Sequence, residues 1–178
     1  KLRSPAKNPR TPALPEKVEF PIHGFDTQAM SPTSEEMITK GGDVFYRPST
    51  TGKKWEKMNL IEYFKKGVVV NALSDAPDEQ LPTASLKTHS YNPDGQEVVT
   101  FKDRFWRRKV KTNDWQTGFL KDYFTDQMLE KGNFPTTYWD IHTYAPSGKE
   151  IIIVGEAVWF RNRKEGKWTM QRVDEYFG

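Results

Sequence analysis

Apolar positions recur along this 178-residue chain in short bursts. "DVFYR" (43–47) and "VVVNA" (68–72) predict short strands, the second of them buried. "NLIEYFKKG" (59–67) puts Leu60, Ile61 and Phe64 on one side of a short helix closed by Gly67. "SPTSEEMITKGG" (31–42) has Thr33 or Ser34 as a cap, two acids in the first turn and a glycine pair at its end. That pattern predicts a second short helix. In "TNDWQTGFLKDYFTDQMLEKG" (112–132), Trp115, Phe119, Leu120, Tyr123, Phe124 and Met128 follow the helical repeat. Thr112 or Asn113 caps this stretch and Gly132 stops it, which predicts one long amphipathic helix over 114–131.

A hairpin is expected from about Ser85 to Val110, turning at "NPDG" (92–95), where Asn92 and Gly95 suit a tight turn. Three strands are expected near 136–144, 150–161 and 167–177, joined by "APSG" and "NRKEG". No internal repeat is evident in this reading. Runs of strands with segregated helices argue for an α+β fold, a mainly antiparallel twisted sheet packed by one long and two short helices. The long helix followed by antiparallel strands ending "GKWTMQRVDEYF" resembles the NTF2-like cone-shaped domains over about residues 113–178. The resemblance implies a cavity between helix and sheet, and in some members isomerase or dehydratase chemistry. It rests on the pattern alone and transfers no functional residues.

Half of the twelve prolines (Pro5, Pro9, Pro12, Pro15, Pro21 and Pro32) lie in residues 1–32, which predicts an extended arm ahead of a single domain over 33–178. Residues 1–20 carry Lys1, Arg3, Lys7, Arg10 and Lys17 against Glu16 and Glu19, so the formal net charge of +3 sits wholly on these twenty residues. A neutral body argues against a domain that coats nucleic acid uniformly. There is no cysteine, hence no disulfide framework and no thiolate nucleophile. His23, His89 and His142 are scattered without ligand spacing, so no metal site and no cofactor are expected. A basic start at Lys1 with no initiator Met suggests an organellar chain from which a targeting segment has been removed.

Three groups of residues carry candidate chemistry. The first is Glu156, alone among apolar residues in "IIIVGEAVWF" (151–160). With "APSG" and "NRKEG" as compact loops, Ile141 faces Ile152 and Glu156 faces Arg172, so a structural ion pair is the expected role of this acid. A lone buried charge costs several kcal/mol, roughly, unless it is paired. The second is "YWDIHTY" (138–144), where Tyr138, Asp140 and His142 share one strand face and offer acid–base chemistry in a small-ligand pocket. The third is "KDRFWRRKVK" (102–111), where Arg104, Trp106, Arg107 and Arg108 could grip RNA or an acidic partner.

Taken together these point to a non-catalytic accessory or adaptor subunit of a larger protein assembly. Lys1, Arg3, Lys7 and Arg10 would make charge contacts, Leu14, Phe20 and Phe25 would anchor the arm, and the basic-aromatic strand would help. The alternatives are a ligand-binding domain or enzyme using Asp140 and His142, and an RNA-binding subunit.

Overall fold

The computed structural model describes residues 24–48, 54–65, 69–72, 82, 84–109, 115–124, 134–162 and 166–178. Its secondary structure is mostly β. The first sheet runs β1 (Thr27–Met30), β2 (Glu35–Lys40), β3 (Asp43–Pro48) and β4 (Glu56–Asn59), then a single-turn helix α1 (Leu60–Lys65). The second adds β5 (Val69–Ala72) to β6 (Thr88–Tyr91), β7 (Gln96–Phe101), β8 (Arg104–Lys109) and β9 (Trp115–Phe119), followed by α2 (Leu120–Tyr123). The third holds β10 (Ile141–Tyr144), β11 (Glu150–Val154), β12 (Ala157–Arg161) and β13 (Thr169–Arg172), then α3 (Val173–Phe177). Each is an antiparallel meander, and β5 lies parallel to β9 at the outer edge of the second.

The α+β expectation, and with it the NTF2-like cone, is therefore corrected. Among the described residues no helix exceeds six residues. The expected long helix joins two different elements: Trp115–Phe119 is a strand, Leu120–Tyr123 is one turn of helix, and residues 125–133 lie outside the described part. Residues 35–40, expected to be helical, form β2. "DVFYR" forms a strand as its pattern predicts, residues 69–72 of "VVVNA" form a strand, "NLIEYFK" forms a helix with Leu60 and Phe64 buried but Ile61 exposed, and the "NPDG" turn joins β6 to β7. A second turn at Lys102–Asp103 then extends that hairpin into a meander. Of the expected arm, residues 27–30 form β1, while residues 1–23 lie outside the described part.

An internal repeat is present after all. "MSPTSEE", "YNPDGQE" and "YAPSGKE" occupy the same tight turn between the first two strands of each sheet. Ser34, Gly95 and Gly148 take left-handed backbone there, with φ of 63°, 82° and 83°. The next turn uses Gly41, Lys102 and Gly155 at φ 55°, 54° and 55°. "WEKMNLIEYF", "WQTGFLKDYF" and "WTMQRVDEYF" each lead through the fourth strand into the helix. In all three a Tyr-Phe pair lies within one residue of the end of the helix.

The repeats stack in series. Strand β6 lies against both β1 and β10, whereas β1 and β10 do not touch. Four-stranded sheets whose innermost strands neighbour one another in this way are the blades of a propeller. Apolar side chains fill the two spaces between blades. Met37 and Val44 of the first blade meet Val99, Trp106 and Trp115 of the second, with Leu60, Tyr63 and Phe64 between them. Val98 and Phe105 of the second meet Ile152 of the third, with Leu120, Tyr123, Phe124 and Trp139 between them.

Candidate binding surfaces and the buried carboxylates

Two glutamates are buried between blades, and neither is Glu156. Glu97, on β7, receives His89 Nε2 at 2.7 Å, Arg108 Nε at 2.6 Å and the hydroxyl of Tyr63 from the preceding blade. Glu150, on β11, receives His142 Nε2 at 2.9 Å, Arg161 Nε at 2.7 Å, Tyr144 at 3.0 Å and the preceding blade's Tyr123 at 2.5 Å. Burial alone would raise both carboxyls. The histidine hydrogen bond and charge, then the arginine charge and the tyrosine hydrogen bond, outweigh it and hold each at about 2. Burial and the adjacent carboxylate push the Tyr63 and Tyr123 hydroxyls well above their ordinary range, so they stay neutral donors.

These are two copies of one device. The third copy, in the first blade, replaces histidine by glutamine: Glu36 accepts from Gln28 at 3.0 Å and from Arg47 Nη2 at 3.0 Å. An arginine covers the leading tryptophan of the outer strand in every blade, Arg47 over Trp55, Arg108 over Trp115 and Arg161 over Trp168. The copies also differ where the hydrogen bonds close. Ser90 Oγ lies 2.7 Å from His142 Nδ1 across the second blade boundary. At the first boundary Ala29 holds the place of Ser90, and His89 Nδ1 has no partner among the described residues.

At one mouth of the stack, three charged residues precede the innermost strands. Asp26 accepts from the Gly41 amide at 2.6 Å, Asp140 from the Gly155 amide at 2.8 Å, and Lys87 reaches Asp140 at 3.2 Å. The Gly155 amide, and after it Lys87, lowers the Asp140 carboxyl below its usual value. A cleft of about 160 Å³ is lined here by residues 26–28, 87–89 and 140–142. A wider one of about 650 Å³ adds Phe25, Phe101 and Tyr138.

The candidate residues fall as follows. Asp140, just ahead of β10, and His142, within it, engage different partners, Lys87 with Gly155 and Glu150 with Ser90 respectively. Tyr138 is half exposed at the wider cleft. Glu156 and Arg172 do pair, at 3.4 Å, but on the surface, with Glu156 84% exposed. The expectation of a buried Glu156 is corrected because Gly155 turns the chain into a hairpin, ending β11 at Val154 and starting β12 at Ala157. The register also differs by one residue from the compact-loop pairing, with Ile141 opposite Ile153 and Ala157 opposite Arg172. In the basic-aromatic strand, Trp106 is core, Arg108 is drawn in by Glu97, and Arg104 is buried with its guanidinium 3.8 Å above the Phe119 ring. Arg107, partly exposed, donates to Gln116. Lys1, Arg3, Lys7, Arg10, Leu14 and Phe20 lie outside the described residues, while Phe25 is exposed beside the cleft.

Glu97 and Glu150 are the residues the sequence reading passed over. Their signal is the turn proline four residues ahead and the arginine eleven residues behind, repeated at Glu36, Glu97 and Glu150. No group of His, Asp or Glu among the described residues could hold a metal ion. No described helix is long and apolar enough to cross a membrane.

No family model matches the chain, and no curated protein matches it in sequence. Solved structures do match the fold. A plant albumin from Cicer arietinum that shows hemagglutination superposes with a TM-score of 0.62 at 11% identity, covering 86% of this chain and 69% of that one. A hemopexin fold protein, CP4, from cow pea gives 0.61 at 10% identity, covering 85% and 68%. A Cicer arietinum lectin with two metal-binding sites gives 0.56 at 11% identity, covering 78% and 60%. At these identities the likeness is one of fold.

Proposed function

We propose that this protein is a non-catalytic docking module of a larger protein assembly, held to its neighbours by protein surfaces. The observation that carries the reading is the state of its interior acids and bases. Glu97 and Glu150 with their histidines, arginines and tyrosines are sealed between blades and consumed by mutual hydrogen bonds, so they serve stacking. Exposed apolar residues, among them Met30, Ile141 and Phe177, are surface that a partner can cover. Residues 1–20 supply the basic contacts. The test is the native mass after gentle purification, for the full chain and for one lacking residues 1–20. Loss of specific partners on truncation supports the reading. An unaltered set of partners removes the arm from it, and a partner-free monomer removes the reading itself.

The two clefts that share Asp26, Lys87 and Asp140 favour a second reading, a site for a small polar ligand at the mouth of the stack. Its signature is a ligand-dependent rise in melting temperature that Lys87→Ala abolishes without unfolding the protein.

A further inference from the structure

Positions that correspond in the three repeats have unequal surroundings. The helix-ending phenylalanine is 0% exposed at Phe64 and 8% at Phe124, but 64% at Phe177. On the innermost strands, Thr27 and Thr88 are 7% and 4% exposed, whereas Ile141 in the same place is 47% exposed. Leu60 and Leu120 are fully buried, and Val173 is not. In the first two repeats the leucine and the phenylalanine pack against the blade that follows. Phe64 meets Trp115 with ring centroids 5.0 Å apart, and Phe124 meets Trp168 at 5.3 Å. Tyr63 and Tyr123 donate into the next blade's glutamate. Tyr176 has the same place in its helix, yet among the described residues it makes ring contacts with Phe160, Phe177 and Lys149.

We infer that the end face of the third repeat, formed by Ile141, Val173, Tyr176 and Phe177, is a docking face for a fourth repeat of the same kind, supplied from outside these 178 residues. Its chemistry follows from the two boundaries already filled. The partner presents a glutamate paired with arginine and histidine on its second strand, to accept the Tyr176 hydroxyl. It also presents an arginine-covered tryptophan at the start of its outer strand, to meet Phe177. Such a unit has the β1–β2–β3–β4–helix plan and about 50 to 60 residues, the spacing of the present repeats. Propellers typically have four or more blades, and the described residues form three.

The other two occupants fit less well. Ile38 and Phe45, on the face a second copy would have to offer from its first blade, are already buried, at 3% exposure each. Residues 1–23 are shorter than half a repeat and hold five prolines, each lacking the amide that a strand ladder uses.

The inference deepens the docking-module reading by naming a class of partner, and its test needs no partner recovered from cells. A copy of residues 125–178 is appended after Gly178, since the third repeat already carries Glu150, Arg161, His142 and Trp168. Hydroxyl-radical labelling of the original Tyr176 and Phe177 is compared in the 178-residue and extended proteins. Labelling of Phe177 should fall several-fold on extension, and that of Tyr176 by a smaller factor, roughly to the levels of Phe124 and Tyr123. Tyr176→Phe at the original position should lower the melting midpoint of the extended protein by several degrees, roughly, and leave that of the 178-residue chain unchanged. Undiminished labelling, or an equal effect of Tyr176→Phe in both proteins, overturns the inference. So does protection already present in the 178-residue chain, whether lost on deleting residues 1–23 (the arm is the occupant) or on dilution (a second copy is).

Discussion

Glutamine in place of glutamate at equivalent positions of two blades isolates what burial does to the carboxylate–arginine pair. Glu97 and Arg108 have side-chain exposures of 0% and 7%, against 16% and 40% for Glu36 and Arg47. Glu97→Gln keeps the shape of the side chain and removes its charge, leaving the Arg108 guanidinium in an apolar space between Tyr63 and Trp115. Breaking a buried pair on one side costs about 3–5 kcal/mol, because the surviving group loses its opposite charge away from water. At Glu36, where water reaches Arg47, the same change costs about 0.2–1 kcal/mol. With a urea slope of about 1–3 kcal/mol/M, the first variant should lose 1 M or more of its midpoint, roughly, and the second a few tenths. Urea unfolding followed by tryptophan fluorescence would read both, since the chain has six tryptophans. Equal losses, or a greater loss at Glu36, would refute the burial argument.

Other consequences are open to measurement. Glu97 and Glu150 have folded values of about 2 against an ordinary 4.5, so their stabilisation is present above about pH 4.5 and disappears as pH falls toward 2. Each should contribute up to about 3 kcal/mol, and Glu97→Gln should flatten part of the acid limb of a stability–pH curve. Ala29→Ser should give His89 Nδ1 the partner that Ser90 gives His142, raising stability by about 0.5–1.5 kcal/mol in urea unfolding. Ser34→Gly should add about 1 kcal/mol in the same assay, because Ser34 takes a left-handed turn position that the other two repeats give to glycine.

How far the fold can be read from the sequence depends on what covers each strand. Where a single element stands alone, as in "DVFYR" or "NLIEYFK", pattern and structure agree. In β2, by contrast, Met37, Ile38 and Thr39 are all buried, so the alternation that marks a half-buried strand is absent. The capping residues just ahead of β2 and the two acids that open it then imitate a helix start. In residues 115–124 a strand runs directly into one helical turn, and the joined apolar positions imitate a single long helix. The repeat was legible in principle, through the three turn prolines Pro32, Pro93 and Pro146 and the three Tyr-Phe helix ends. Sequence divergence and unequal linkers obscure it. Glu156 drew attention because its neighbours are apolar, yet a glycine turn carries it to the surface. Glu97 and Glu150 each follow a tight turn in the sequence. Their burial depends on a tyrosine from the preceding repeat, and local sequence carries no sign of that contact.

Stacking in series, each blade's tyrosine seated on the next blade's glutamate, is tested most directly by a double-mutant cycle of Tyr123→Phe with Glu150→Gln, run beside Tyr123→Phe with Glu97→Gln. The scheme requires a coupling of about 1 kcal/mol or more for Tyr123 with Glu150, and additivity within about 0.5 kcal/mol for Tyr123 with Glu97, the acid of its own blade. Additivity in the first cycle, or coupling in the second, would contradict it.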